Sequence, residues 1–380
     1  MELKVSDDCI FFFQDGHLII DNYVKHVQKA IKIKYAEIIL SLGEWTNSDQ
    51  LEKIIEGSNL KKEEYLSVIH QLLGYGILIS NHSTTVKPLD CTFNEWSKSV
   101  NYFHFNNRVL KDEKFKNVLY EYNELKDSAV QMPDIYKTYD GHKNVKLPSP
   151  TTSYISQKNF QDVLFSRETI RSFDHETSIS LKQFSNLLYL VFGSVSCSLD
   201  HGIGPAIFKT SPSGGGRSSI EAYPVVFNVD GLDNGVYHYS VKNHELELIS
   251  QGDFREEMTN IAGDQVHVGW PAASVIYTSV LQRVAWKYKT SRGYKAIYMD
   301  VGHLSQTFYL VSNWMNLGAF FVGALRDEVV ENFLGINPYQ EIVIGASGIG
   351  PIKQNDIEKG RFVRDDVDYW EKRGEQTWRV

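Results

Sequence analysis

The sequence predicts an α+β protein made of a small N-terminal unit and a larger C-terminal domain. Short β-rich runs bounded by turn residues alternate with stretches that carry apolar residues every three or four positions. This spacing is typical of helices with one buried face. A polar, proline-bearing stretch at 140–158 has no such period and indicates a linker or a mobile loop, where we place the domain boundary. A chain of 380 residues is long enough for two or three structural units.

Composition and charge exclude several classes of protein. The formal net charge of −8 argues against nucleic acid as a partner. The first residues lack the basic and apolar regions of a signal peptide, and no apolar run is long enough to span a membrane. Cys9, Cys91 and Cys197 show neither CxxC nor metal-ligand spacing, so we expect reduced thiols, no metal site and a cytoplasmic location.

The N-terminal unit, residues 1–90, opens with a strand–turn–strand pattern at 9–20 around Asp15 and Gly16. Ser48 is a plausible helix N-cap. The apolar spacing then predicts helices at 35–45, 49–56 and 61–73, followed by a strand at 77–79. A hairpin with three short helices resembles a winged helix. Acidic residues outnumber lysines, and no arginine precedes Arg108, so a peptide-binding or packing role is favoured over DNA binding.

Residues 91–158 are predicted to be a helical connector followed by the linker, because 93–131 shows the apolar spacing of two helices. The C-terminal domain follows at 159–353, and 354–380 is a charged tail. Within the domain the patterns predict first a helix at 180–192, a hairpin of 235–239 with 245–249 and a strand at 272–280. A long helix follows, with its start at Asp300 or Gly302 and its apolar spacing over 303–316. The last elements are a strand at 318–322, a helix at 327–334 and a strand at 341–350.

Residues 211–223 combine three consecutive glycines with small polar residues and run into a β-branched strand at 224–229. Glycines allow positive φ angles and let the backbone approach a ligand closely. Ser213, Ser218 and Arg217 add hydroxyl and guanidinium groups to the same turn. The stretch matches neither a Walker phosphate loop nor a GxGxxG fingerprint. Two interpretations stay open, a flexible surface loop and a loop that lies against a bound group.

Arg167 and Arg171 lie four residues apart, together with the hydroxyls of Thr169 and Ser172. On a helix or at a helix start the two arginines would share one face. Guanidinium groups bind phosphate oxygens through two parallel hydrogen bonds. The segment is therefore a candidate anion clamp, and the alternative is an ordinary solvated face.

Five motifs, taken in order over about residues 160–353, resemble the nitroreductase superfamily. They are Ser-Arg-x-x-x-Arg-x-Phe at 166–173, Pro-Ser-Gly-Gly-Gly-Arg followed by Glu-Ala-Tyr at 212–223, Trp-Lys-Tyr at 286–288, Asp-x-Gly-His-x-x-Gln at 300–306 and a late strand before Gly-x-Gly at 348–350. They look most like its FMN-dependent azoline dehydrogenases of the streptolysin and cyanobactin type. The resemblance implies a nitroreductase-like FMN fold, with an antiparallel-rich central sheet flanked by helices, and a homodimer with flavin at the subunit interface. The N-terminal unit loosely resembles the leader-peptide or scaffold module of these enzymes.

The resemblance also implies a set of flavin contacts. Arg167, Thr169 and Arg171 match the segment that holds the FMN phosphate and ribityl chain, and Lys353 matches a late cation on the phosphate. The loop against the isoalloxazine ring corresponds to Ser213, Gly214 and Gly215. Arg217 is expected to donate to the N1/C2 edge of the flavin, where negative charge develops on reduction.

Lys287 and Tyr288 match the Lys-Tyr pair that these dehydrogenases use in catalysis. Conversion of an azoline to an azole removes a carbon-bound proton and transfers a hydride to flavin, so a positioned base is needed. An ammonium beside a phenol favours the phenolate, and either residue could be the base. The alternative is a strand with an exposed lysine and a half-buried tyrosine. We expect Asp300 and His303 to cap and orient the following helix rather than to act chemically.

The leading hypothesis is an FMN-dependent dehydrogenase that oxidises azoline rings in a modified precursor peptide, beside a cyclodehydratase, and passes the electrons to oxygen. A second hypothesis keeps the flavin but reverses the electron flow, as in an NAD(P)H-dependent reductase of nitro, quinone or dehydroamino-acid substrates. A third is a non-catalytic subunit that presents peptide to a partner enzyme.

Overall fold

The computed structural model describes residues 2–58, 60–82, 97–109, 111, 118–127, 130–150, 158–199, 202 and 204–353. The chain divides into two compact units, Met1–Phe115 and Lys116–Val380. The predicted division at 90, 158 and 353 stays a prediction, and the charged tail lies outside the described residues. No described helix is both long and apolar enough to cross a bilayer.

The first unit contains two small antiparallel sheets and four helices in its described part. Its elements are β1 (Leu3–Val5), β2 (Cys9–Gln14), β3 (His17–Asn22), β4 (Val27–Ile31), α1 (Ile33–Ser41), α2 (Ser48–Gly57), α3 (Lys62–Gly74), β5 (Leu78–Ser80) and α4 (Lys98–Asn106). Strands β2, β3 and β4 form one sheet, and β1 pairs with β5. The predicted hairpin is confirmed, with both Asp15 and Gly16 at positive φ in its turn. The winged-helix resemblance of the unit stays a prediction.

The N-cap of α2 is Asn47 and not Ser48 as predicted. The Asn47 side chain accepts a hydrogen bond from the backbone N–H of Gln50, and the Gln50 side chain accepts one from the backbone N–H of Asn47. This reciprocal pair satisfies two donors that a helix start leaves free, whereas Ser48 would satisfy neither of them.

The second unit is built on one large sheet. Its elements are α5 (Val118–Asp127), β6 (Asn144–Lys146), α6 (Phe160–Ser166), β7 (Ile179–Ser180), α7 (Leu181–Phe192), β8 (Ser196–Ser198), β9 (Ala206–Phe208), β10 (Ile220–Val226), β11 (Val229–Asp230), β12 (Gly235–Ser240), β13 (Glu245–Gln251), α8 (Arg255–Ile261), β14 (Ala273–Val280), α9 (Leu281–Lys287), α10 (Gly293–Trp314), β15 (Gly318–Val322), α11 (Asp327–Leu334) and β16 (Glu341–Gly350).

The seven strands of the large sheet run in the order β15, β16, β14, β10, β12, β13 and β6, and every neighbouring pair is antiparallel. Successive residues of a strand point to opposite faces, so the sheet separates two hydrophobic cores. Tyr277 packs with residues of α7 and α10, whereas its neighbour Ile276 packs with residues of α8 and α11. The prediction of an α+β fold with an antiparallel-rich sheet between helices is confirmed.

Three local predictions in this unit are wrong. The predicted linker contains β6, because Asn144–Lys146 pairs with the edge of β13. Helix α10 begins at Gly293 rather than at Asp300 or Gly302. The absent side chain of Gly293 makes this start possible, because a Cβ there would lie 2.6 Å from Tyr288 Cβ. Arg167 and Arg171 do not share a helix face, since α6 ends at Ser166 and Arg167 is already extended.

Candidate functional site

The glycine loop, defined here as residues 213–218, adopts a conformation that its sequence makes possible. Gly214–Gly216 forms one 3-10 turn, with φ of +61° at Gly215 and +66° at Gly216. Ser218 is also left-handed, with φ of +46°. Residues with a Cβ rarely adopt this region, so the consecutive glycines are needed for the turn itself.

Asp300 on α10 fixes the start of the glycine loop. Its carboxylate accepts hydrogen bonds from the Ser213 hydroxyl at 2.7 Å and from the Gly214 N–H at 2.9 Å. The Ser213 hydroxyl oxygen in turn accepts from the Ser218 N–H at 2.9 Å. Asp300 is buried, and this burial raises its pKa although the two hydrogen bonds and the neighbouring His303 and Lys209 side chains oppose the shift. A carboxylate with both oxygens occupied holds the loop in place.

The sequence pattern predicts Asp300 as a helix cap, whereas the structure places it in contact with the loop. A helix that begins at Gly293 places Asp300 three residues after the buried Ile297 and four before the buried Leu304. An acidic residue on the apolar face of a helix signals a buried partner. That signal was present in the sequence, but the predicted start of the helix concealed it.

Lys287 and Tyr288 meet the glycine loop at Gly215. Lys287 is the last residue of α9, Tyr288 follows it, and the Lys287 ammonium donates to the Gly215 carbonyl at 3.2 Å. A Cβ added to Gly215 would lie 2.7 Å from Lys287 Nζ and 2.8 Å from the Tyr288 hydroxyl oxygen. The predicted catalytic pair and the predicted flavin loop are therefore in contact. The alternative of a strand is wrong, because the pair ends a helix.

Aromatic rings surround the Lys287 ammonium. Its nitrogen lies 5.3 Å from the ring centre of Tyr122 and 5.8 Å from that of Tyr288. A cation near the face of an aromatic ring is attracted to it. Tyr122 comes from α5, in a segment that the sequence predicts to be a helical connector. The site thus includes a residue that no motif indicated.

Arg217 belongs to the glycine loop, and its side chain is buried. Nε donates to the Gly215 carbonyl at 3.1 Å, the guanidinium lies 5.5 Å from the Trp286 ring centre, and Nη1 lies 3.8 Å from Met132 Sδ. Nη2 is buried and has no hydrogen-bond partner among the described residues. Burial lowers the pKa of Arg217. A buried donor without an acceptor is unusual in a folded protein and fits a bound group that would supply one.

A cavity of about 340 Å³ opens along the glycine loop. This size lies within the usual range of small-molecule sites. The described residues that line it are Tyr122, Ile207, Phe208, Lys209, Ser211, Pro212, Ser213, Gly215, Gly216, Ser218 and Lys287. The lining joins the predicted loop to one of the two predicted catalytic residues, Lys287.

The end of the glycine loop is held by Arg283, which lies one helical turn before Lys287 on α9. Its guanidinium donates to the Ser218 carbonyl at 3.2 Å and to the Glu221 carboxylate at 2.5 Å. His238 binds the other oxygen of Glu221 at 3.0 Å. Burial alone would raise the pKa of Glu221, but Arg283, His238 and Lys209 outweigh burial and lower it to about 2. The loop is therefore fixed at both ends by buried charges.

The predicted phosphate residues form a second group. The Arg167 guanidinium lies 5.4 Å from the Tyr309 ring centre, and the Thr169 and Tyr309 hydroxyl oxygens are 3.1 Å apart. Arg171 and Lys353 line one cavity of about 350 Å³. An isolated antiparallel β-bridge pairs the backbones of Phe173 and Ile352 and so brings these two cations together from distant parts of the chain. The other residues that line this cavity are Ser172, Phe173, His175, Val266, His267 and Trp270.

Helix α10 separates the two groups of predicted residues. Asp300 binds the glycine loop, and Tyr309 binds Thr169. Asp300 and Tyr309 are nine residues apart on this helix. That distance corresponds to about 13 Å along the axis and to about two and a half turns, so the two side chains point to opposite sides. The loop and the arginine segment, defined here as residues 167–171, therefore meet opposite flanks of α10 within one chain.

Comparison with known proteins identifies relatives of this domain. Residues 164–350 match the model of the Nitroreductase family. The MJ1384 protein of Methanocaldococcus jannaschii, provisionally named a nitroreductase, is 28% identical over 185 residues, which are 49% of this chain and 88% of that protein. The trifolitoxin-processing protein TfxB of Rhizobium leguminosarum bv. trifolii is 25% identical over 201 residues, which are 48% of this chain and 51% of that protein. The chain thus spans about half the length of TfxB.

A solved structure shares the fold. The crystal structure of an Anabaena variabilis protein, provisionally named a nitroreductase, superposes with a TM-score of 0.51 and 22% identity. The superposition covers 71% of this chain and 50% of that one. The predicted resemblance to the nitroreductase superfamily is confirmed for the second unit.

Proposed function

We propose that this protein, whose residues 164–350 match the model of the Nitroreductase family, is an FMN-dependent dehydrogenase that oxidises azoline rings to azoles in a modified precursor peptide. The observation that carries the proposal is the contact of Lys287 and Tyr288 with Gly215. A base is useful in this reaction only if it lies beside the hydride acceptor. The two motifs are about 70 residues apart in sequence, and the fold brings them together.

The residues present fit FMN in two respects. The Arg217 Nη2 donor is buried without a partner among the described residues, and the space beside Gly216 is open, since a Cβ there would meet no atom within 4 Å. Ser213, Gly214, Gly215 and Arg217 would hold the ring system, and the phosphate would lie with Arg167, Thr169, Arg171 and Lys353. Bound FMN would supply the hydride acceptor of the reaction.

The protein's own part in the reaction is to remove the carbon-bound proton. Lys287 and Tyr288 are the two candidates, and their proximity serves either assignment. The Lys287 ammonium stabilises a Tyr288 phenolate, and a Tyr288 hydroxyl orients a neutral Lys287 amine. The Tyr122 ring lies 5.3 Å from the Lys287 nitrogen and attracts it when it is charged.

A homodimer accounts for the separation of the two groups across α10. If the flavin ring lies at the glycine loop of one subunit and its phosphate at the arginine segment of the other, each site uses both subunits. The separation of about 13 Å along α10, on opposite flanks, supports this arrangement. Each homodimer would then hold two equivalent sites.

The peptide substrate is proposed on the similarity to TfxB, whose name assigns it to the processing of trifolitoxin. A cyclodehydratase that makes the azoline would be the natural partner, because the ring must form before it is oxidised. The similarity to MJ1384, which is named as a nitroreductase, favours a second candidate, an NAD(P)H-dependent flavin reductase.

Absorption spectroscopy of the purified protein is the first test, with mass identification of any released cofactor. Bound FMN and the loss of two hydrogen atoms from a thiazoline peptide, without NADPH, would establish the proposal. Rapid NADPH oxidation with no change in the peptide would establish the reductase instead. A protein that takes up no FMN would refute both and leave the non-catalytic peptide-binding subunit.

A further inference from the structure

Lys209 is a second lysine of the cavity beside the glycine loop, and no motif drew attention to it. It follows β9, is half-buried, and lines the cavity together with Lys287. In the described part of the chain its ammonium finds one hydrogen-bond acceptor, the Ile220 carbonyl at 3.4 Å. Three N–H groups and one long contact leave donor capacity for a ligand.

The acidic residues near Lys209 are engaged elsewhere. Glu221 uses one carboxylate oxygen for Arg283 and the other for His238. Asp300 uses its two oxygens for Ser213 and Gly214. Burial lowers the pKa of Lys209 to about 8, although Glu221 and Asp300 act against this shift and Arg283 adds to it. The positive charge of Lys209 therefore has no carboxylate of its own among the described residues.

The cavity itself favours an anion. Its described lining contains two lysines and no aspartate or glutamate. The hydroxyls of Ser211, Ser213 and Ser218 and the phenol of Tyr122 supply further polar groups. Charged side chains of one sign that line a partly enclosed cavity raise its affinity for a ligand of the opposite charge.

We propose that Lys209 and Lys287 together bind a carboxylate of the substrate, so that the oxidised ring lies next to an acidic side chain or a free C terminus. The inference rests on the proposed function and deepens it by naming the substrate class. A carboxylate that binds Lys287 keeps this amine protonated, and the role of base then passes to Tyr288. Lys209 is a substrate-binding residue in this arrangement and takes no proton from the ring.

The test uses two small probes that differ in one charge. Benzoate and benzamide are titrated by calorimetry into the full-length protein at pH 7, with and without FMN. We expect benzoate to bind at least about tenfold more tightly than benzamide, as one charged hydrogen bond provides. Lys209→Met is expected to remove this preference, and Lys209→Arg is expected to keep most of it.

Lys242→Met is the matched control, because it removes the same charge from an exposed residue outside the cavity. Benzoate affinity is also expected to fall from pH 7 to pH 9 in the wild type, and to fall less in Lys209→Arg, whose guanidinium stays charged. Equal binding of benzoate and benzamide, or equal losses in Lys242→Met and Lys209→Met, would overturn the proposal.

Two sources of the carboxylate are distinguished with thiazoline tripeptides. One has a free C terminus, one has a C-terminal amide, and one has a glutamate beside the ring together with the amide. Preference for the first or for the third identifies the source, and equal turnover of all three counts against the inference. If the protein binds FMN but does not prefer the carboxylate, only the inference about Lys209 is refuted. If it prefers the carboxylate but binds no FMN, only the proposed function is refuted.

Discussion

The glycine loop and the arginine segment differ in how completely one chain builds them. Ser213 and Gly214 bind Asp300, Ser218 binds Arg283, and Gly215 is covered by two side chains from the end of α9. At the arginine segment, Arg171 and Lys353 line an open cavity and Arg167 lies over the ring of Tyr309. The first region is held by contacts inside its own chain, and the second places two cations at the wall of a cavity.

At the proposed flavin site, this difference would separate two kinds of contribution. A loop held by buried partners positions reacting groups, whereas a cluster of cations supplies affinity for an anion. Changes in the loop are therefore expected to alter turnover, and changes in the arginine segment to alter cofactor binding. The following variants test whether the division holds.

Tyr288→Phe should have the largest effect. It removes the phenol that lies against Gly215 and keeps the ring, so we expect a loss of about 10²- to 10⁴-fold in kcat with flavin absorbance unchanged. Tyr339→Phe, at a residue that is 91% exposed, is the control and should keep full activity. Wild-type turnover by Tyr288→Phe would remove this residue from the mechanism.

The double variant Arg167→Ala with Arg171→Ala should weaken FMN binding by about 10²-fold, because two charged contacts to phosphate are lost. Riboflavin has the same ring system without the phosphate, so its affinity should not change. Fluorescence titration of both flavins measures the difference. If riboflavin and FMN lose affinity equally, the phosphate lies elsewhere.

Gly215→Ala is expected to lower both turnover and flavin affinity about tenfold. The left-handed backbone costs roughly 1–2 kcal/mol with a Cβ, and the new methyl group would displace Lys287 and Tyr288. Gly231→Ala is the matched control, because its φ is +75° and a Cβ there meets no atom within 4 Å. Equal effects of the two variants on activity would show that backbone strain alone is responsible.

Asp300→Ala should destabilise the second unit by about 1–3 kcal/mol, since two partly buried donors in the loop lose their buried acceptor. Denaturant titration gives the free energy of unfolding, and flavin affinity reports the loop. Asp233→Ala removes a carboxylate from an exposed pair with Lys143 and should cost less than about 1 kcal/mol. A similar cost at both positions would contradict the role assigned to Asp300.

The smallest expected effect concerns His238 and pH. Burial opposes protonation of this imidazole, but hydrogen bonds to Glu221 and Glu247 outweigh burial and raise its pKa above 6.5. Its contribution to stability is therefore complete below pH 6.5 and is lost as the pH rises through the folded-state pKa. The free energy of unfolding should decline over this window in the wild type and stay flatter in His238→Gln. Identical pH slopes would contradict the assignment.

Much of the fold could be predicted from local patterns. The alternation of residues and the turn at Asp15 and Gly16 predicted strands, and apolar spacing predicted α7, α11 and most of α10. Strand β6 was missed because its three residues, Asn144–Lys146, include two polar ones and become a strand only by pairing with β13. Its hydrogen bonds come from a segment about 100 residues away, and no local pattern records them.

The candidate site was predicted in part. The order of the motifs pointed to Gly215, Lys287 and Tyr288, which the structure places in contact. Lys209 and Tyr122 were missed because their importance depends on what surrounds them. Burial lowers the pKa of Lys209, and the cavity wall that contains Tyr122 comes from a distant helix.

By itself the sequence determined local conformation, because sterics between near neighbours decide where glycines turn and which face of a helix is apolar. Only the tertiary structure decided that Asp300 would hold the glycine loop and that Arg283 would link the loop to Glu221. It also placed the loop and the arginine segment on opposite flanks of α10. These contacts join residues 62 to 87 positions apart. Sheet register and helix packing create them, and both depend on the whole chain at once.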